Sequence, residues 1–235
     1  MAPSRAITET IILHLEEGVN LADAASGSAA VQTFAQLTNT IKAQQGYICQ
    51  FWVVDLSHLL SDWQSSEHHA AFIKSKAYKS FIAGVGQVFA LEVAAPLKIY
   101  TRFPSASGAT AALKAPVTEI AFLTLPDGAG EDVRATIDRK LRPIDENVTT
   151  VGKGLAAATG WVFEVQNHAE AVNGATIALH GLFGYNSIED HMRWRETPEH
   201  AQAIETMEDV SKNQGLEDAN VTGRDMFHVH FHAGI

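Results

Sequence analysis

The chain has a single cysteine, Cys49, in 235 residues, so no disulfide can form within it and its thiol content does not call for an oxidising compartment. It also has no basic run, since 17 Lys+Arg stand against 27 Asp+Glu for a net charge of −10. The deficit is uneven: residues 1–113 carry 7 basic and 8 acidic side chains, residues 114–235 carry 10 and 19. Such a chain is a poor partner for phosphate backbones and anionic lipid, so neither nucleic acid nor membrane is expected as a partner. No stretch approaches the roughly 18 apolar residues of a membrane span, and residues 11–15 are too short for a signal peptide and run into Glu16 and Glu17. A cytoplasmic protein is the expectation. Missing too are a G-x-S-x-G elbow, an HExxH pair, a phosphate loop and a dinucleotide fingerprint, so no cofactor and no metal are expected.

What is present is a repeat. Residues 63–78 (WQSSEHHAAFIKSKAY) align without a gap on residues 185–200 (YNSIEDHMRWRETPEH). Trp63 meets Tyr185, Ser65 meets Ser187, Glu67 meets Glu189, His69 meets His191, Phe72 meets Trp194 and Ser75 meets Thr197. A period of that length in a chain of this size argues for two copies of one unit.

Each copy reads β-α-β-β-α-β. In the first, β-branched alternation predicts a strand over 6–15. An Ala-rich stretch with Val31, Phe34, Leu37, Thr38 and Ile41 at spacings of three and four predicts a helix over 22–45. Strands over 47–54 and 56–62 follow. A helix capped by Ser65 or Ser66 then places His69, Phe72, Ile73, Ala77 and Phe81 on one face, before a last strand over 97–103. Residues 105–115 are small and polar and read as a linker between units at 1–104 and 116–235. The second copy repeats the order, with strands over 117–125, 161–166 and 176–185. Its first helix runs over 131–141 and on past Pro143 to about 155, and its second opens at Ser187 and is interrupted at Thr197-Pro198. Residues 226–232 (MFHVHFH) alternate strictly and predict the closing strand.

This order, with an aromatic-x-Ser-x-Glu-x-His-x-x-aromatic-x-x-Ser/Thr entry to the second helix, resembles the antibiotic-biosynthesis-monooxygenase (ABM) group of the dimeric α/β barrel superfamily. The resemblance implies an α+β fold of two tandem ferredoxin-like units whose antiparallel sheets form a barrel, as a monomeric pseudo-dimer or a homodimer. The superfamily includes cofactor-independent oxygenases of polyphenolic polyketides, haem-degrading enzymes, cyclases and isomerases. Many members carry a His three residues before the Ser/Thr of this helix; Phe72 and Trp194 stand there in this chain, so a mechanism resting on that His does not carry over.

On a single closing strand His228, His230 and His232 point to one side. Alignment of the two last strands on Phe103 and Phe231 sets Tyr100 opposite His228 and Arg102 opposite His230. Imidazole titrates near neutrality and suits proton transfer on a phenol or enol, so His228 and His230 are the first catalytic candidates and His191 the third. A metal on this row, with His180 or His14 as a further ligand, lacks a compact motif. Trp161, Tyr185, Trp194, Phe72, His69, Tyr100 and Arg102 are the candidates for holding a flat, hydrophobic small molecule. Glu9 and Glu119, near strand starts, read as solvated. The expected function is an ABM-like enzyme acting on an aromatic or polyketide-like substrate by His-assisted proton transfer, giving oxygenation, cyclisation or isomerisation. The alternatives are a non-catalytic ligand-binding or stress-type barrel and a haem-binding protein with a His axial ligand.

Overall fold

A computed structural model describes residues 6–21, 27–53, 58–92, 97–126, 131–163, 166–167, 175–212 and 223–233. In chain order the first elements are β1 (Ile7–Ile12), α1 (Ala29–Lys42), β2 (Tyr47–Trp52), β3 (His58–Trp63), α2 (Ser66–Ile73), α3 (Lys76–Val85) and β4 (Leu97–Arg102). There follow α4 (Ala106–Leu113), β5 (Val117–Pro126), α5 (Glu131–Thr150), β6 (Ala156–Val162), β7 (Gln166–Asn167) and β8 (Ala175–Tyr185). The chain continues with α6 (Ile188–Arg195), α7 (Pro198–Lys212), β9 (Gly223–Val229) and β10 (His232–Ala233). It divides into two compact units, residues 1–102 with 231–235, and residues 103–230.

Within the first unit the antiparallel order is β2-β3-β1-β4, and within the second it is β6-β8-β5-β9. Numbered inside each unit, both sheets run second, third, first, fourth strand, the ferredoxin-like arrangement expected from the β-α-β-β-α-β pattern. The core of the first unit gathers Phe34, Trp52, Trp63, Phe72 and Phe81. In the second unit Ile137, Leu141, Leu125, Ile177 and Leu179 form one cluster, and Val148, Tyr185 and Trp194 another. Among the described residues no helix is long and apolar enough to cross a membrane.

The second strand of the second copy, expected over 161–166, is β6 at Ala156–Val162, because α5 ends at Thr150 and not near 155. Beyond that shift three features differ from expectation. The segment read as a linker holds α4, whose N-cap Ser105 accepts a hydrogen bond from the Gly108 N–H at 3.1 Å. Its small side chains are the reason it packs: Ala109 and Ala112 are buried, and a Cβ on Gly184 of β8 would come within 2.7 Å of Ala115 Cβ. Backbone approach this close needs Ala and Gly, which composition alone reads as linker.

The helix after Ser65 breaks at Lys74, and Ser75 caps α3 by accepting from the Tyr78 N–H. Thr197 does the same for His200 N–H at the start of α7, so the interruption expected in the second copy is a property of both. Ser75 meets Thr197 in the repeat for that reason. Pro143, by contrast, sits inside one continuous helix, α5, whose buried face of Ile137, Leu141 and Val148 offsets the lost hydrogen bond.

The last strand is the third difference. β9 ends at Val229, and β10 pairs with β2 in the first unit, His232 opposite Trp52. The three histidines therefore do not share one strand face. Elsewhere β1, α1, β2 and β3 stand close to their expected places, with α1 beginning at Ala29 behind an N-cap Ser28, while residues 22–26 lie outside the described residues.

Candidate functional site

In the second unit the strand period of two puts Glu119, Ala121 and Leu123 of β5 on the same face, and Thr118, Ile120 and Phe122 on the other. The register then aligns neighbours on that first face: Glu119 faces Phe183 of β8 and His228 of β9, and Ala121 faces Gly181 and Met226. Ser187 caps α6 by accepting from Asp190 N–H, and helical spacing of three buries both His191 and Trp194 against this face.

Glu119 is 7% exposed, not solvated. His191 Nε2 lies 3.4 Å from Glu119 Oε2, and His191 Nδ1 lies 2.5 Å from His228 Nε2. The imidazole thus bridges a carboxyl on one strand and a second imidazole on its neighbour. Burial pushes the Glu119 carboxyl up to about 7, against the pull of the Arg195 guanidinium. Burial, then the neighbouring His228, Arg195 and His200, push His191 down to about 4. His228 is also lowered, first by burial and then by Arg195. Near neutrality the group is therefore two neutral imidazoles and a carboxyl that exchanges its proton there.

One ligand atom from each of Glu119, His191 and His228 can be chosen within 4.8 Å of the others, which is compatible with a metal ion. The contacts argue otherwise. Glu119 and His228 sit on opposite ring nitrogens of His191, whose lone pairs diverge, and a single ion can take only one of them. The arrangement fits a hydrogen-bonded relay better than a chelate.

A cavity of about 260 Å³ opens beside the relay, lined by Glu119, His191, Tyr185, Trp194 and the apolar faces of α5 and α7. The first unit shows why it is there. Ile11 faces Leu59, and Leu59 faces Trp52, at the positions that Ala121, Gly181 and Thr159 hold in the second unit. Three large side chains in one copy are three small ones in the other, and the room this frees above the sheet is shared by the Phe183 ring, which lies over Gly181, and the cavity.

The polar cluster diverged in the same way. In the first unit Glu9 also contacts a helix histidine, His69, at 3.2 Å, but it further accepts from Ser61 Oγ at 3.2 Å and Tyr100 Oη at 3.1 Å. Trp63 Nε1 in turn donates to Ser61 Oγ at 3.0 Å. Glu9 is a furnished structural carboxylate. In the second unit Phe183 replaces Ser61 and His228 replaces Tyr100, so both hydroxyl donors are gone.

The remaining candidates fall as follows. Tyr185 and Trp194 line the cavity with His191, and the Tyr185 ring centroid is 4.8 Å from that of His191. His230 is exposed and its Nδ1 lies 2.7 Å from the Pro116 carbonyl oxygen, outside the cavity. His232 packs on Trp52, ring centroids 5.0 Å apart, in the first unit. Trp161 is held between its Nε1 donation to Asp138 Oδ1 at 2.7 Å and the Arg134 guanidinium 5.5 Å over its ring, and does not line the cavity. His69, Phe72 and Tyr100 belong to the cluster and core of the first unit, and Arg102 is exposed at the end of β4. His180 is buried on the opposite face of β8, stacked on Phe122 at 4.4 Å, and His14 is exposed, so neither joins the row.

Glu119, which reads as solvated from the sequence, is buried at this site, and no sequence motif marked Asp145, Thr159 or Gly181. The signal for Gly181 was in the repeat itself: Leu59 lies 122 positions before it, and the size of the swap marks a hollow.

No protein-family model matches the chain, and no curated protein does either. Solved structures do. A candidate monooxygenase from Lactobacillus acidophilus NCFM aligns over 97% of this chain and 94% of its own at 12% identity, with a TM-score of 0.52. One from Fusobacterium nucleatum aligns over 100% and 94% at 13% identity and 0.51, and an anthrone oxidase-like protein over 98% and 94% at 11% and 0.56. At these identities the likeness is one of fold.

Proposed function

We propose that the second unit is a small-molecule enzyme in which Glu119, oriented by His191 and His228, abstracts a proton from a flat, aromatic or polyketide-like substrate of the kind made in secondary metabolism. The observation that carries this is a Glu-His-His relay, buried at Glu119 and His191 and half-buried at His228, whose carboxyl opens on an apolar cavity with Tyr185 and Trp194 in its lining. A carboxyl with its proton affinity near neutrality is matched to general-base work, and the apolar walls exclude water from the carbanion it forms. His191 holds the carboxyl in place and His228 holds the tautomer of His191. An enolate generated this way reacts with dioxygen or rearranges, giving oxygenation, cyclisation or isomerisation without flavin or nicotinamide. The names of the fold neighbours, monooxygenase and anthrone oxidase-like, describe the first of these outcomes.

Anthrone has an acidic methylene flanked by aromatic rings and serves as a test substrate. Oxygen uptake above the spontaneous rate is expected with the native protein and is expected to fall by about 10²-fold or more in Glu119→Gln, the usual contribution of a positioned base. Uptake equal in both proteins overturns the assignment of Glu119. Tight binding of anthrone with no turnover in either protein favours a ligand-binding role instead.

A further inference from the structure

We propose that Asp145 is a second polar anchor of the cavity and that the substrate carries a phenolic hydroxyl that donates to its Oδ1. The proposal rests on the reading of the cavity as the substrate site and adds the class of substituent that site selects.

Asp145 lines the cavity from α5. Its Oδ2 accepts from Thr159 Oγ1 at 2.9 Å, which fixes the carboxylate against β6. Its Oδ1 is shielded from solvent and has no hydrogen-bond partner among the described residues. A buried carboxylate oxygen left unpaired is costly, and a ligand that supplies a donor recovers that cost. Burial also pushes this carboxyl up to about 6, against hydrogen bonds from the Thr159 side chain and backbone and the pull of Arg142, so a neutral donor such as a phenol suits it.

Position supports the same conclusion. Thr159 faces Gly181, Gly181 faces Ala121, and Glu119 is the next residue on that face of β5. The sheet positions beneath the two carboxyls are therefore two strand spacings and one same-face step apart, roughly 12 Å. Between them lie Ala121 and Gly181, with the Phe183 ring folded over the glycine, its Cε2 2.6 Å from where a Cβ would stand. A fused-ring aromatic placed against Ala121 and that ring presents one end to Glu119 and the other to Asp145. In the first unit Trp52 stands where Thr159 does, so the hydroxyl that holds Asp145 has no counterpart there.

The test compares two probes by isothermal titration calorimetry on the full chain: 2-naphthol, which donates, and 2-methoxynaphthalene, which cannot. The native protein is expected to bind 2-naphthol about tenfold more tightly, the order of one hydrogen bond to a charged acceptor. In Asp145→Asn, which keeps the volume and turns an N–H toward the ligand, the two probes are expected to bind alike. Equal affinities in the native protein, or a preference that survives in Asp145→Asn, overturn the proposal while leaving the cavity reading intact. Ala121→Ile, which restores the side chain of the first unit, is expected to abolish binding of both probes. If neither probe binds the native protein, or Ala121→Ile binds them unchanged, the cavity reading itself fails and Asp145 with it.

Discussion

Gly181 in β8 lies directly across from Ala121 in β5, at the cross-strand position that Leu59 and Ile11 occupy in the first unit. One pair fills the space between sheet and helices with its own side chains, and the other gives it to the Phe183 ring and the cavity beside it. The Glu-His contact is present in both units, and the swap of large for small side chains accompanies the cavity beside it in the second.

That contrast predicts the cost of hollowing the first unit. Leu59 is 8% exposed in the cluster with Trp52 and Phe34, so Leu59→Ala is expected to lower stability by roughly 2–5 kcal/mol. Denaturant titration reads it directly. A loss well under 1 kcal/mol means that the first unit is looser than its packing shows.

The histidines separate by position. His228→Ala removes the partner of His191 Nδ1 and is expected to lower turnover by up to about tenfold, the order of one lost hydrogen bond between neutral groups. His230→Ala, whose contact is the Pro116 carbonyl, is expected to leave turnover unchanged. If the two variants lose activity equally, the alternating row rather than the relay carries the chemistry.

Glu119 sets a pH dependence. Its carboxyl, pushed up from 4.5 to about 7, keeps in the native state a proton that the unfolded chain has already released, so this group makes the protein less stable as pH rises through that window. The full effect is roughly 3 kcal/mol at about 1.4 kcal/mol per unit. His191, pushed down from 6.5 to about 4, acts in the opposite sense, because the unfolded chain binds the proton first and stability is lost as pH falls below 6.5. His200 and His228, also lowered from 6.5 by burial and Arg195, act in the sense of His191, so the Glu119 slope shows as a difference between two proteins. Between pH 6.5 and about 8 the denaturation midpoint of the native protein is expected to drop relative to that of Glu119→Gln, and parallel curves overturn the burial of Glu119. Turnover, which needs the ionised base, is expected to rise over the same range.

Helix α4 makes a smaller prediction. Ser105→Ala removes the acceptor for Gly108 N–H and is expected to cost about 1 kcal/mol. No change in the denaturation midpoint means that the cap is dispensable and that Ala109 and Ala112 hold the helix through packing alone.

Much of this was legible in one dimension. The doubled motif, the helix starts at Ser65, Ser187 and Thr197, and the strand order all depend on residues within a few positions of each other, and local hydrogen bonding or periodicity decides them, while the break that Ser75 caps was not read from the first copy. The alignment of Tyr100 with His228 also holds, since both face the glutamate of the first strand in their own unit. His191 was named from the repeat and stands in the relay.

What the sequence could not decide was burial. Glu119 near the start of a strand reads as solvated until α6 places His191 over it, and residues 105–115 read as a linker until Gly184 lets Ala112 approach. MFHVHFH alternates over its whole length, yet the strand stops at Val229 because His230 turns to the Pro116 carbonyl and His232 pairs with Trp52. Periodicity is a property of neighbours along the chain, and so the sequence alone determined the two copies, their elements and the residues each presents. Which carboxyl was desolvated, which copy kept a cavity and where the histidine row ended depended on side chains tens of residues away, and only the tertiary structure brings those together.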